Sequence, residues 1–331
     1  MSPALTHLHV HSNFTLLAGT ASVDDLAARA AAEGLKQLAL TDTNALYGAV
    51  AFGKACQRFG IEPILGMAVT VAPLEAAGFL DTTGPGLIVL LATGPDGYRS
   101  LCRLSSLIQA SPERQALADQ GLAWDALKTH ADGLICLSGG RRGWIERCLR
   151  AGDRHAALRY AGALAGLFGE QTYLALELHR PGDAAIAQEI TALGQRLGVP
   201  TVAVQPVYCL TPQDRPKLRL LAAIDQNCRL PDVPASSLPD GGDPDVQVHW
   251  LSPAALANRF EAFPEALAAI DQVANQCGPA LPDGRPIWPA LKLADGETPD
   301  SALAALAETG MAARYAPVPA PAIPKLSLIH I

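Results

Sequence analysis

Seven short apolar runs, five of them followed by segments with helical spacing, constrain this chain more than any other feature of its sequence. The runs are THLHVHS (6–12), KQLALTD (36–42), EPILGMAVTVA (62–72), GLIVLLAT (86–93), GLICLSGG (133–140), TYLALEL (172–178) and PTVAVQPVY (200–208). Near-continuous Val, Leu and Ile marks strands buried on both faces. Helical spacing fills the intervals at 23–35, 47–59, 96–109, 122–129, 142–150, 154–168 and 183–197, with Ser22 placed to cap the first. Strands alternating with helices predict parallel βα units, and seven such units predict a closed or nearly closed α/β barrel. Functional side chains of such a barrel sit where its strands end.

The chain has 331 residues, 49% of them hydrophobic and only 5% aromatic, so Ala, Leu and Val must supply most of the core. A formal net charge of -7 argues against a primary DNA-binding surface, which needs clustered Lys and Arg. The basic run at 141–155 is read as a solvated helix face. Seven cysteines stand without a CxxC pair, which fits neither a zinc ribbon nor a disulfide framework. The polar, His-rich start lacks the apolar core of a signal peptide, and no apolar run is long enough to span a bilayer. A cytoplasmic protein in a reducing compartment is expected.

The barrel is expected to occupy 1–229. A loop rich in Pro, Gly, Ser and Asp follows at 229–245, then helices at 252–262 and 264–277, so 230–285 reads as linker and helical extension. Residues 286–325 read as a connector with one last helix at 300–315.

The strongest chemical signal is at the first strand. His7, His9 and His11 fall on one face of a strand, the arrangement a zinc or manganese site would use. A polar cluster bonded to backbone carbonyls fits the same spacing. Asp42 ends the second run before a turn, where it serves either as a site carboxylate or as an Asx-turn cap. Glu177, His179 and the Gly139–Gly140 pair end later strands and read as structural when taken singly. His130, His155 and His249 lack ligand spacing and are expected at the surface.

Taken together, these residues resemble the PHP domain of bacterial DNA polymerase III α subunits. HLHVHSNFTLLAG is similar to that family's opening HLHxHSxxSLLDG. LALTDTNALYGAVAFGKACQRFGIEPILGMAV is similar to its LAxTDHGNLxGAVxFYxxAxxxGIKPIxGxE. IVLLATGPDGYRSLCRLSS, ADGLICLSGGRRGWIERCL, PTVAVQPVYCLTPQD and the helical stretch at 247–277 continue the likeness in order. The resemblance spans about residues 5–315. It implies a distorted (β/α)7 barrel with a C-terminal helical extension and, in active members, up to three metal ions that hydrolyse phosphoesters.

Position by position, the resemblance also implies loss. His9 and His11 keep the His-x-His pair. The other expected ligand positions hold Ala18, Thr43, Ala68, Gly140, Pro206 and Tyr208. Asp42 is retained as a group that supports a site rather than ligating metal. His9 and His11 are therefore expected to be vestigial metal residues, with no catalytic residue in this segment and no cofactor beyond Zn or Mn at a residual site. The implied role is a scaffold that binds the proofreading exonuclease subunit and braces the rest of the polymerase, with DNA and Mg²⁺ handled by domains beyond this segment. An active metal-dependent PHP phosphoesterase, or a 3'-5' proofreading nuclease, is the alternative.

The polymerase palm of such a subunit carries paired aspartates for Mg²⁺, and no PDxDxD-like cluster occurs here. Residues 286–325 are expected to lead into that palm. LSLIHI (326–331) departs from the family pattern and is expected to be a non-native tail, the translation of a sequencing adapter.

Overall fold

A computed structural model describes residues 5–78, 84–286 and 289–315. Its eight strands are β1 (His9–Val10), β2 (Gln37–Leu40), β3 (Glu62–Val71), β4 (Gly86–Ala92), β5 (Leu134–Leu137), β6 (Thr172–Leu176), β7 (Thr201–Ala203) and β8 (Pro206–Val207). The helices of the first half are α1 (Val23–Ala32), α2 (Ala49–Phe59), α3 (Pro95–Gln109), α4 (Arg114–Gln120), α5 (Trp124–Thr129) and α6 (Trp144–Arg150). Those of the second half are α7 (Arg154–Phe168), α8 (Asp183–Leu197), α9 (Arg215–Asp225), α10 (Pro253–Arg259), α11 (Pro264–Gln276) and α12 (Pro299–Tyr315).

Strands β2 to β7 form one curled sheet in chain order, and β1 pairs with β8. Two further backbone bonds, Ala39 N–H to His7 O and Thr41 N–H to Val10 O, join β1 to the β2 side. The first strand thus has neighbours on both edges, and its histidines face a rim built by several strands. This is the distorted α/β barrel that the seven runs predict. The last run is split, because Val204 and Gln205 interrupt it between β7 and β8.

The all-parallel expectation needs one correction. β4 runs antiparallel to both β3 and β5, while the other pairs are parallel. A parallel return requires a crossover of a dozen or more residues, usually helical. The link after β3 instead shows a single 3-10 turn, Glu75–Ala77, among its described residues.

The helices form for local reasons and dock through small apolar faces. Ser22 accepts the Asp25 N–H at the start of α1, and Asp24 and Asp25 complement the positive end of its dipole. Val23, Leu26, Ala27 and Ala30 recur on one face and are buried. α2 stops at Gly60, whose φ of 69° lets the chain turn left-handed so that Ile61 N–H reaches Cys56 O. One large ring pair stands out in this Ala- and Leu-rich core: Trp144 stacks on Tyr160 at 5.4 Å, with the Arg147 guanidinium 4.3 Å over the indole.

The chain falls into two compact units, Met1–Pro282 and Asp283–Ile331. In the first, Ala269, Ile270 and Val273 of α11 are buried in the same hydrophobic cluster as the barrel strands. Trp250 is also buried there, with its indole N–H on Glu33 and its ring 4.4 Å from that of His7. In the second unit, α12 leaves Leu303 and Leu306 exposed. The expected tail at 326–331 lies outside the described residues. Among the described residues, no helix is long and apolar enough to cross a membrane.

Candidate functional site

The three histidines of the first strand part company. His7 is buried and bonds the carbonyl of Leu251 at 2.8 Å, so it anchors the segment that follows the barrel. His9 and His11 face each other, with their Nε2 atoms 2.9 Å apart. Both are buried, and burial depresses their basicity: His9 falls to about 4 and His11 well below its ordinary value. Neutral imidazoles are therefore the resting state.

Asp42 organises the other side of His11. Its carboxylate accepts the Ser12 N–H at 2.7 Å, the Ser12 hydroxyl at 2.9 Å and the Thr15 hydroxyl at 2.7 Å. Burial raises its pKa, and these donors pull it partly back. With its proton spent on Asp42, Thr15 Oγ1 is left to accept the Thr43 N–H at 3.1 Å and the Nδ1–H of His11 at 3.0 Å. His11 Nε2 is then an acceptor, filled by the Nε2–H of His9. The lone pair that a cation would need on His11 is thus already used by its neighbour.

Around this relay the expected ligand positions offer little. Thr43 and Ala68 meet as a backbone bridge, and Thr43 Oγ1 reaches His11 Nδ1 at only 3.4 Å. Tyr208 lays its ring on His11, centroids 3.9 Å apart and planes 14° from parallel. Its buried hydroxyl, raised in pKa chiefly by burial, accepts from Arg142 Nη1 at 3.3 Å. Gly139 and Gly140 both have positive φ, 81° and 53°, and make the sharp turn that brings Arg142 to this rim. A Cβ at Gly140 would lie 1.9 Å from Glu177 Oε1. Among the described residues, no three His, Cys, Asp or Glu side chains stand close enough to hold a metal ion. The donors present do not fit a cation cluster, because structural zinc needs four ligands and catalytic zinc three.

Glu177 and His179, read as structural when taken singly, belong to this neighbourhood. Their side chains are 3.3 Å apart, and His179 Nδ1 accepts the Gln247 N–H at 3.3 Å. Beside them lies a charge cluster that the sequence hid. Arg150 bonds Glu146 at 2.6 Å and Asp183 at 2.9 Å, and Asp183 also takes the backbone N–H groups of His179 and Arg180. Buried Glu146 is raised to about 7, first by desolvation and then by Glu177. The basic run at 141–155 is therefore not simply a solvated face. Arg147 reaches the carbonyls of Gly84 and Pro85, and Arg141 pairs with Asp243, while Arg154 pairs with Glu189 at the surface. A partial signal was present, since Glu146 precedes Arg150 by one helical turn. His155 is exposed as expected, while His130 and His249 are only partly so.

Residues 7–181 match the PHP domain family. The chain is 30% identical over 316 residues to the DNA polymerase III subunit alpha of Bacillus subtilis (strain 168), covering 94% of this chain and 26% of that protein. It is 34% identical over 330 residues to the error-prone DNA polymerase of Symbiobacterium thermophilum, covering 94% of this chain and 29% of that protein. It thus spans little more than a quarter of the length of either relative. Among solved structures, an amidohydrolase from Chromobacterium violaceum is similar with a TM-score of 0.38 and 15% identity, over 61% of this chain and 87% of that one.

Proposed function

The chain belongs to the PHP domain family, and from that premise we propose that it is a non-catalytic PHP module of a DNA polymerase III α-type or error-prone polymerase. Its partners are the remainder of the polymerase and the proofreading exonuclease subunit, with DNA engaged through other domains, and it acts in the cytoplasm. Similarity to two polymerase types along 94% of the chain supports the setting. The single observation that carries the non-catalytic part is the His9–His11 contact. Two imidazoles whose Nε2 atoms meet at 2.9 Å, with Tyr208 stacked on one of them, are a packed pair that leaves one buried ring nitrogen, His9 Nδ1, without a partner among the described residues.

Metal-assisted phosphoester hydrolysis needs cations to polarise the phosphoryl oxygens and to generate hydroxide at neutral pH. What this chain's residues do instead is hold one another. Asp42 fixes Thr15, Thr15 orients His11, and His11 accepts from His9. The test is metal content by mass spectrometry, with phosphodiester hydrolysis under added Mn²⁺ or Zn²⁺. We expect no bound metal and no turnover above that of a His9→Ala variant. Stoichiometric metal with turnover that His9→Ala abolishes would overturn the reading.

A further inference from the structure

The geometry points to a built-in substitute for the missing cations: Tyr208 and Arg142 together form a metal-independent plug in the barrel mouth. This rests on the reading above that the mouth holds no metal cluster. It goes further by assigning what keeps the rim together in the absence of one.

In a metal centre, cations bind rim strands to one another through shared ligands. Remove them, and buried imidazoles and carboxylates are left facing a polar hole, which is costly unless something fills it. Here the Tyr208 ring covers His11, and its hydroxyl is held by Arg142. Tyr208, immediately after β8, lies flat on His11, just beyond β1, at 3.9 Å and is 6.2 Å edge-on to His9. The ring thereby joins the first and last strands of the barrel by packing. Its hydroxyl reaches Arg142, an exposed residue of the Gly140–Arg142 turn that follows β5. Glu177, at the end of β6, and Arg142 act on the same two groups, His9 and Tyr208, with opposite sign. One Arg and one Glu side chain thus act across the imidazole pair.

The Gly140 backbone admits this arrangement, because the Glu177 side chain occupies the place a Cβ at 140 would take. Five rim positions interlock without a metal ion: 208 on 11, 208 on 142, and 177 against 140.

The test uses the full chain and three variants, Tyr208→Phe, Arg142→Ala and their combination, with Arg99→Ala as a control from a surface ion pair. Tyr208→Phe keeps the ring and removes only the hydroxyl, so folding is not at risk. Thermal unfolding is followed with and without EDTA, Mn²⁺ or Zn²⁺, alongside metal content. The plug predicts that both single variants lower Tm by about 2–4 °C, that Arg99→Ala does not, and that the double variant falls short of the sum. Metal and chelator leave all of them unmoved. Single variants indistinguishable from Arg99→Ala in a metal-free protein would overturn the plug and leave the proposed function standing. Stoichiometric metal in the unaltered chain, with a Tm that EDTA lowers, would overturn both.

Discussion

Tyr208 and His11, 197 positions apart in the chain, stack with ring centroids 3.9 Å apart. One is a residue the family resemblance retains as a metal ligand, and the other sits where the resemblance expects a ligand that has been lost. Their contact makes a packed ring pair at the barrel mouth.

Asp42 should matter for folding rather than for metal. Asp42→Ala would strand the Ser12 N–H and the Ser12 and Thr15 hydroxyls in a buried setting. A loss of about 2–3 kcal/mol is expected by chemical denaturation, with Asp42→Asn costing less because its carbonyl still accepts. Added Mn²⁺ or Zn²⁺ should restore nothing. Recovery of stability on adding metal would show that Asp42 supports a cation after all.

Gly140→Ala should be far more damaging than an ordinary glycine change. Its φ of 53° disfavours any side chain, and the new Cβ would meet Glu177 Oε1 at 1.9 Å. About 3 kcal/mol is expected from strain and overpacking together. Gly34→Ala provides the comparison: φ is 74° but nothing lies within 4 Å, so only about 1 kcal/mol should be lost. Equal losses at both positions would mean that Glu177 does not occupy the space beside Gly140.

Acid should unfold the barrel through its buried histidines. Burial lowers His7 from 6.5 to about 4 in the folded chain. Between those values the unfolded chain binds the extra proton, so stability falls as pH drops from 6.5 through 4, by up to roughly 3 kcal/mol for this residue. Asp42 contributes with the opposite sign, since its raised pKa favours the folded state at low pH and so cannot account for acid unfolding. His7→Gln keeps a donor for Leu251 O but no titrating group. Its stability should depend less steeply on pH across that window, and an unchanged slope would exclude His7 as a source.

Gln205 should be a sensitive point outside the mouth. Its amide N–H groups serve the carbonyls of Pro206, Gln247 and His249, and its Oε1 accepts from Arg259 at 3.0 Å. It is 2% exposed. Gln205→Ala should cost about 2–3 kcal/mol, whereas Gln195→Ala on the exposed face of α8 should stay within about 0.5 kcal/mol. Similar melting temperatures for the two variants would contradict this.

The barrel was legible where local pattern decides structure. Runs such as LIVLLA and LICL are strands whichever neighbours they find, and Ser22 caps a helix wherever it docks. Strand direction was less legible, since the reversal of β4 goes with a β3–β4 link whose described residues hold a single 3-10 turn and no crossover helix. Helix α9 was missed, although Thr211 and Asp214 form a capping box just ahead of it and Pro216 sits in its first turn. His9, His11 and Asp42 were found because spacing and strand ends expose them. Arg142 and Glu146 were not, because a run of arginines does not say which of them meets a distant partner. Arg142 bonds Tyr208, 66 positions further along, and Glu146 is joined to Asp183 only through Arg150, so these links belong to the tertiary fold.

The left-handed Gly139–Gly140 turn also limits what position 140 can carry. With φ at 53° and Glu177 Oε1 1.9 Å from where a Cβ would stand, that corner has no room for a side chain of any kind. Any group that chemistry at the barrel mouth requires must therefore be supplied by another strand.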